Sequence, residues 1–471
     1  MVNGAVLRIE LRRSVAPWAG AVVLTTALAF LCLLDAAWSR GPTAWTAQWT
    51  SLALWTRSLL FYLWPLAVGL GALQGLRDHR SKMSELLTST PRPAWQRAAT
   101  TAGTTALTLA SAFALLVLVG GVQVVANSGY AHLGWLPISL VGALSLVTGA
   151  VLGMGAGRAL PSVLTPPALA MGAFVCTVLM NASLGRTETA TASGVPRTEP
   201  NRISLLSPAV EEVRDTLVTL SASVHVGQTL WLLGMATTGF ALLVAASPRA
   251  RLLALTPVLA GAAIALLVLP SDPRRIYVLD EAAAEPVCEG PVCVTRTQQA
   301  RLPDLAGPGK EALRLLHGAL GGRAPVSIRE NTAVLPDGST PRWSRETVLL
   351  DFGDDTAFTT AKGEELTRAL IAKAMVPGCT PTGWSSFGQD QYAQAVAVGW
   401  VLGDRGNLGP LPGTGSAAAR REVDAEARPV WRKLRALPRA EQLARINAMR
   451  AAALSCKGDA FDVLSGGGAS R

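Results

Sequence analysis

Residues able to do chemistry are few in this chain, and their spacing argues against most reaction classes. The nearest approach to a phosphate-binding loop is DLAGPGKE at 304–311. Such a loop needs Gly, four residues, then Gly-Lys-Ser/Thr, so that backbone amides cradle phosphate and a hydroxyl meets magnesium. Asp304 stands where the first glycine belongs and Glu311 where the hydroxyl belongs, which excludes nucleotide hydrolysis by that route. The four histidines, His79, His132, His225 and His317, are far apart in sequence and form no HExxH. A catalytic zinc site usually draws on several histidines, so metal catalysis is not expected. The cysteines of CEGPVC at 288–293 have four residues between them and no second pair of matching spacing. A disulfide fits them better than half a thiolate metal site. No GxSxG nucleophile elbow occurs. Asp351, Asp354 and Asp355 in DFGDD offer carboxylates for acid–base work, but the commoner meaning of such a run is a solvated turn after a strand. The expectation is a chain that is not an enzyme, with no cofactor or metal of its own.

The elements that carry these residues fall into two classes. Of 471 residues, 50% are hydrophobic and 16% charged, against about 25% charged in soluble proteins. The deficit lies before residue 270. The stretch 252–270, LLALTPVLAGAAIALLVLP, holds no charge, and about 19 residues at 1.5 Å each nearly cross a hydrocarbon core of roughly 30 Å. Apolar runs near 17–36, 58–76, 102–126, 136–157, 160–180, 226–246 and 252–270 predict seven spans in a transmembrane domain over 17–270. The first run ends without a cleavage pattern and reads as a retained signal anchor. Residues 1–16 place Leu7, Leu11 and Val15 on one face beside Arg8, Arg12 and Arg13, an amphipathic surface helix or a basic flank that sets orientation. Arg57 sits at the mouth of the second span and is expected to snorkel outward. Pro161, Pro166 and Pro167 predict a kinked fifth helix packed inside the bundle. In the loop 181–224 the first half reads as irregular. Residues 208–223 read as a helix capped by Ser207, with Val210, Val213, Leu217 and Leu220 as its apolar stripe. The spans hold almost no ionisable groups, which disfavours ion-coupled transport.

The formal charge is +10, but much of the excess is Arg beside apolar spans, and no basic stretch interleaves with aromatics. This predicts a lipid bilayer partner and no nucleic acid. With the N-terminus cytoplasmic, the inner breaks collect Arg77, Arg80, Lys82, Arg92, Arg97, Arg158, Arg249 and Arg251, while the short outer loops hold little beyond Arg40 and Arg57. Seven spans then put residues 271–460 outside. Cys288, Cys293, Cys379 and Cys456 all lie there, which suits two disulfides in an oxidising compartment. Four cysteines allow three pairings. Cys288 and Cys293 bracket Gly290-Pro291, a turn-favouring dipeptide, and pairing them leaves Cys379 with Cys456. The external domain reads as α+β. Its strands are expected near 275–280, 291–295, 325–330 and 345–351, and its helices near 303–319, 361–376, 386–402, 419–436 and 438–456. A disordered tail is expected over 461–471.

The most polar break in the first half contains 81–97, SKMSELLTSTPRPAWQR. Ser81 or Ser84 can cap a short helix with Met83, Leu86 and Leu87 on one side, Pro91 ends it, and a second turn carries Trp95 between Arg92 and Arg97. Those apolar side chains suit a membrane interface or a docking surface. A basic amphipathic N-terminus, a polar inner segment between spans two and three, and an outer amphipathic helix before span six together resemble the transmembrane subunit of ABC-2-type exporters over 1–246. The Ala-, Gly-, Arg- and Val-rich composition is similar to that of actinobacterial proteins of this sort. The resemblance implies a bacterial plasma-membrane permease, a homo- or heterodimer, energised by a separate ATPase that holds the ATP. It also implies that Met83, Leu86, Leu87, Arg92, Trp95 and Arg97 dock that ATPase. Span seven and the disulfide-bearing domain depart from the minimal pattern. They leave open a second class, a membrane-anchored receptor or assembly factor without transport activity.

The topology predicts that a reporter fused after Gly466 is active only outside the cytoplasm and one after Arg80 only inside. A cytoplasmic signal from the Gly466 fusion would reject the seven-span arrangement.

Overall fold

The computed structural model describes residues 16–33, 45–46, 48–77, 93–127, 130–182, 186–190, 196–209, 217–333, 339–352, 355, 357–380, 388–404, 409–414 and 416–466. The chain forms two compact units, Met1–Ala190 with Pro196–Val278, and Thr191–Val195 with Leu279–Arg471. The amphipathic helix expected over 1–16 lies, but for Ala16, outside the described residues.

The first unit is helical. Its elements are α1 (Ala16–Leu33), α2 (Trp49–Ser58), α3 (Leu60–Gly75), α4 (Ala94–Asn127), α5 (Trp135–Ala159), α6 (Thr165–Ala182), α7 (Ala222–Val244), α8 (Pro248–Leu253) and α9 (Thr256–Val268). Five helices are long and apolar enough to cross a membrane: α4, α5, α6, α7 and α8–α9 taken together. The α2–α3 pair, bent by 50°, raises this to six, and α1 is a shorter apolar helix among the described residues. At 34 residues α4 is about 51 Å long, well beyond the hydrocarbon thickness, so it begins eight residues ahead of the expected span.

What holds these helices together is glycine on facing surfaces. Gly71 and Gly75 of α3 lie against the backbone of Ala150 and Met154 of α5. In return Gly153 and Gly157 of α5 lie against the backbone of Val68 and Ala72. A Cβ at Gly153 would stand 2.0 Å from the Val68 carbonyl oxygen. On a neighbouring face of α5, a Cβ at Gly155 would stand 2.2 Å from the Gly239 carbonyl oxygen of α7. Lipid tails are as apolar as Leu, so packing of small residues replaces the hydrophobic drive between helices. Basic side chains close two helix ends: Arg251 donates to the Ala159 carbonyl at the end of α5 (3.0 Å), and Arg202 to Leu269 just past α9 (2.9 Å).

Several expectations for this unit fail. The prolines of α6 sit in its first turn, where the missing N–H is an orphan in any case, so they start the helix instead of kinking it. Most of the α6 span also lies outside the bundle. The irregular first half of the 181–224 loop forms an antiparallel hairpin of β1 (Arg186–Ala190) and β2 (Pro196–Pro200). In the expected helix 208–223, residues 210–216 lie outside the described ones, and Val218–Leu220 is a strand, β3. It pairs with β4 (Tyr277–Leu279) because Val218 and Leu220 are buried while Thr219 between them is partly exposed, a period of two.

The second unit is α+β. A four-stranded sheet runs in the order β5 (Pro286–Glu289), β6 (Val292–Thr295), β7 (Ser327–Glu330), β8 (Thr347–Leu350). The β5–β6 pair is an antiparallel hairpin, and β6, β7 and β8 are parallel. The helix α10 (Leu302–Leu320) makes the crossover from β6 to β7 and buries Leu305, Ala312, Leu313 and Leu316. Five further helices follow: α11 (Ala357–Thr360), α12 (Gly363–Met375), α13 (Gln389–Leu402), α14 (Ala417–Arg435) and α15 (Arg439–Ser455). A sixth, α16 (Ala460–Ser465), stands where a disordered tail was expected. Asp459 caps it through the Phe461 and Asp462 N–H groups, and Leu464 is buried. Residues 467–471 lie outside the described ones.

Disulfides join Cys288 to Cys293 and Cys379 to Cys456. The first links directly opposed residues of the β5–β6 hairpin, whose turn uses Gly290 at φ +66. The second spans 77 residues and ties the end of α15 to the segment after α12; in the chain-entropy picture a loop of that length gives on the order of 4 kcal/mol. Arg450 adds a polar clamp. Buried in α15, it donates to the carbonyls of Ala374, Arg323 and Arg345. Burial pushes its guanidinium below the usual value, and the Arg345 charge adds to that.

Replacing Gly153 by Val should collide with the Val68 carbonyl, splay α3 from α5 and lower the unfolding temperature of the detergent-purified protein. Gly172, which faces open space, should tolerate the same change; equal melting of the two variants would reject the glycine contact as a determinant of the bundle.

Candidate functional site

The two helices α2 and α3 meet at Leu59, where the chain bends. Two hydroxyls promote the bend by donating back along the helix, Thr56 to the Ala53 carbonyl (2.9 Å) and Ser58 to the Trp55 carbonyl (2.8 Å). Pro65, the sixth residue of α3, lacks the N–H that would bond the Phe61 carbonyl. Arg57 lies two residues before the break and is fully buried. It does not snorkel outward as expected. Gly142 on α5 leaves the necessary space: a Cβ there would stand 3.1 Å from Arg57 Cδ. Gly142 is seven residues into α5, which puts the guanidinium about 10 Å below that end of the helix.

The partners of Arg57 are neutral. Its Nε and Nη2 donate to the Pro208 carbonyl (3.2 and 3.1 Å), and Nη2 also to Gln228 Oε1 on α7 (3.0 Å). Its Nη1 is buried with no hydrogen-bond partner among the described residues. Gln228 Nε2 donates to the Leu205 carbonyl (2.9 Å), and Trp231 Nε1 to the Leu206 carbonyl (3.0 Å). Three side chains from two parts of the bundle therefore hold one segment, 205–208, by its carbonyls. His225 and Tyr277 lie within electrostatic reach of Arg57, and the His225 ring hydrogen-bonds the Leu220 backbone. Beside this cluster is a small cleft, of about 20 Å³, lined by Asn181, Ser204, Leu205, Val224, Gln228 and Tyr277, among others. A second cavity, of about 10 Å³, lies between α1, α3, α4 and α5, where Gln74 buries both amide atoms with no partner among the described residues.

The residues singled out by sequence fall elsewhere. Met83, Leu86, Leu87 and Arg92 lie outside the described residues, while Trp95 and Arg97 are in the first turns of α4, with Trp95 exposed. The DLAGPGKE segment is part of α10, where its backbone amides serve the helix and offer phosphate no cradle. Lys310 in it pairs with Glu289 (2.7 Å). Asp355 is no solvated turn residue. It is buried against Lys373 (2.7 Å), whose ammonium lies over the Trp343 ring. Among the described residues no group of three His, Cys, Asp or Glu could hold a metal ion. Sequence reasoning missed Arg57, His225, Gln228 and Gln74; the available signal was one cation beside an apolar run that begins nine residues earlier than hydropathy alone suggests.

No protein-family model, no curated protein and no solved structure matches this chain.

Lys373→Met should leave Asp355 buried and unpaired and cost about 3 kcal/mol or more of unfolding free energy. The double variant with Asp355→Leu should recover most of it. Equal losses in the single and double variants would show that the buried pair is not the source of the effect.

Proposed function

We propose that this chain is the membrane-embedded permease subunit of an ATP-binding-cassette exporter in a bacterial plasma membrane. A separate ATPase energises it. Its N-terminus is cytoplasmic, and the disulfide-bearing unit is an extracytoplasmic accessory domain. The single observation that supports this most is Arg57. A bundle that serves only as an anchor gains nothing from a desolvated cation at a broken helix, and ionisable residues within membrane segments usually mark pathways. The glycine-to-backbone contacts of α3, α5 and α7 add the close, rigid-element packing that a bundle needs to shift between two arrangements. In this reading the segment 81–97 docks the ATPase through Met83, Leu86, Leu87 and Trp95, with Arg92 and Arg97 at its flanks, and two such subunits pair.

The second unit favours one alternative. Its large core, two disulfides and mixed sheet make a self-sufficient domain of the kind that binds ligands, as a membrane-anchored receptor or assembly factor would.

The two readings part at 81–97. Replacing Leu86 and Leu87 by Asp should abolish co-purification of an ATPase with the full-length protein while membrane insertion and yield stay normal. Retention of the ATPase by the double variant would remove the docking role, and absence of any ATPase from the wild-type preparation would favour the receptor.

A further inference from the structure

Among the described residues no carboxylate pairs with the Arg57 guanidinium. Its three hydrogen bonds go to neutral oxygens, two to the Pro208 carbonyl and one to Gln228 Oε1. The Nη1 group is buried and has no hydrogen-bond partner among the described residues. The titratable groups within its electrostatic reach are His225, a second basic ring, and the Tyr277 phenol. Desolvating a cation this way is costly and is ordinarily offset by an acid or by additional hydrogen bonds. A residue serving only as a strut for segment 205–208 would have no need of a free Nη1.

The cleft at this end of the bundle supplies an approach. Its wall includes Gln228, whose amide bridges Arg57 on one side and the Leu205 carbonyl on the other. The Gln228 side chain thus stands between the open space and the guanidinium, and its Oε1 occupies the position an anion's oxygen would take. If the amide swings aside, one oxygen can take Nη2 and a second can take Nη1, the end-on two-bond geometry that guanidinium makes with carboxylate and phosphate. The Nε–H stays on Pro208 throughout. Ser204, Asn181 and Tyr277 line the same cleft and add polar groups around the incoming ligand.

We propose that this cleft is a binding site for an anionic group, a phosphate or carboxylate, which Arg57 receives through Nη1 and Nη2 when Gln228 gives way. The binding claim stands on the geometry; only the identification of the anion as part of an exported molecule rests on the permease reading. The same chemistry is available from a soluble anion and from a lipid headgroup.

The test uses the full-length protein in a neutral detergent, without any ATPase, so its failure leaves the permease reading standing. The unfolding temperature is followed during titration with inorganic phosphate at constant ionic strength, with short-chain phosphatidylglycerol, and with the matching phosphatidylcholine. The proposal predicts a saturable rise with at least one of the two anionic probes, none with phosphatidylcholine, and loss of the rise in Arg57→Gln. A rise with phosphate identifies a soluble anion, and a rise with phosphatidylglycerol alone identifies a lipid headgroup. No rise with either anion, an equal rise with phosphatidylcholine, or a rise retained by Arg57→Gln overturns it. If Arg57→Gln does not fold, Gln228→Ala decides. That variant keeps the guanidinium and removes the group in front of it, so the half-saturating anion concentration should fall several-fold; an unchanged value overturns the proposal.

Discussion

The approach of two backbones, α3 to α5, is the constraint on which the first unit depends. Gly142, Gly149, Gly153 and Gly157 are spaced by seven, four and four residues and share one face of α5. The lower members of that row let the α3 backbone come into contact, leaving no room for a side chain. The uppermost member leaves room for Arg57. One glycine face therefore both seats α3 and admits the cation just ahead of it. Gly155 performs the same service for α7 through Gly239, and α7 carries Gln228. With α5 as the common neighbour, the meeting of Arg57 and Gln228 follows from helix packing, and the segment 205–208 is held where those two side chains present their donors.

The second unit relies on other devices. Its core is continuous from the sheet through α10, α12 and α13 to the last helices. Polar staples fix segments that lack regular structure: Arg450 reaches three carbonyls distant in sequence, and the Lys373–Asp355 pair with the Trp343 ring holds the chain after β8 against α12. Trp343 Nε1 in turn donates to the Gly378 carbonyl next to Cys379, so the ion pair and the long disulfide brace one region.

Much of this architecture was legible in sequence, for identifiable reasons. In the second unit, α10, α12, α14 and α15 begin and end within two residues of their expected limits, because apolar residues recur every three or four positions on one face of each. The parallel strands stood out as short Val- and Ile-rich runs. The strand β5 did not, since Pro286 and the acidic and alanine-rich residues before it mask the pattern. In the first unit the long apolar runs marked most of the helices, but of seven expected spans only five, or six with the bent α2–α3 pair, are long and apolar enough to cross a membrane among the described residues. The helix α2 was invisible to hydropathy: Thr50, Ser51, Thr56 and Arg57 are buried polar residues. That is why Arg57 read as a snorkelling charge at a span's edge. A helix break and a glycine on another helix turned it inward, and no local pattern reports either. The strand β3 was hidden for a related reason, because its partner β4 lies more than fifty residues away and pairing at that distance leaves no local trace.

The central claim is that Arg57 is a desolvated cation held by Gln228 inside the bundle, and a double-mutant cycle tests it most directly. The unfolding free energies of wild type, Arg57→Met, Gln228→Leu and the double variant would be measured in the same detergent. A hydrogen bond to a buried charge predicts a coupling of about 1.5–3 kcal/mol. Additivity of the two single changes to within about 0.5 kcal/mol would contradict the account, because it would mean that the two side chains do not meet.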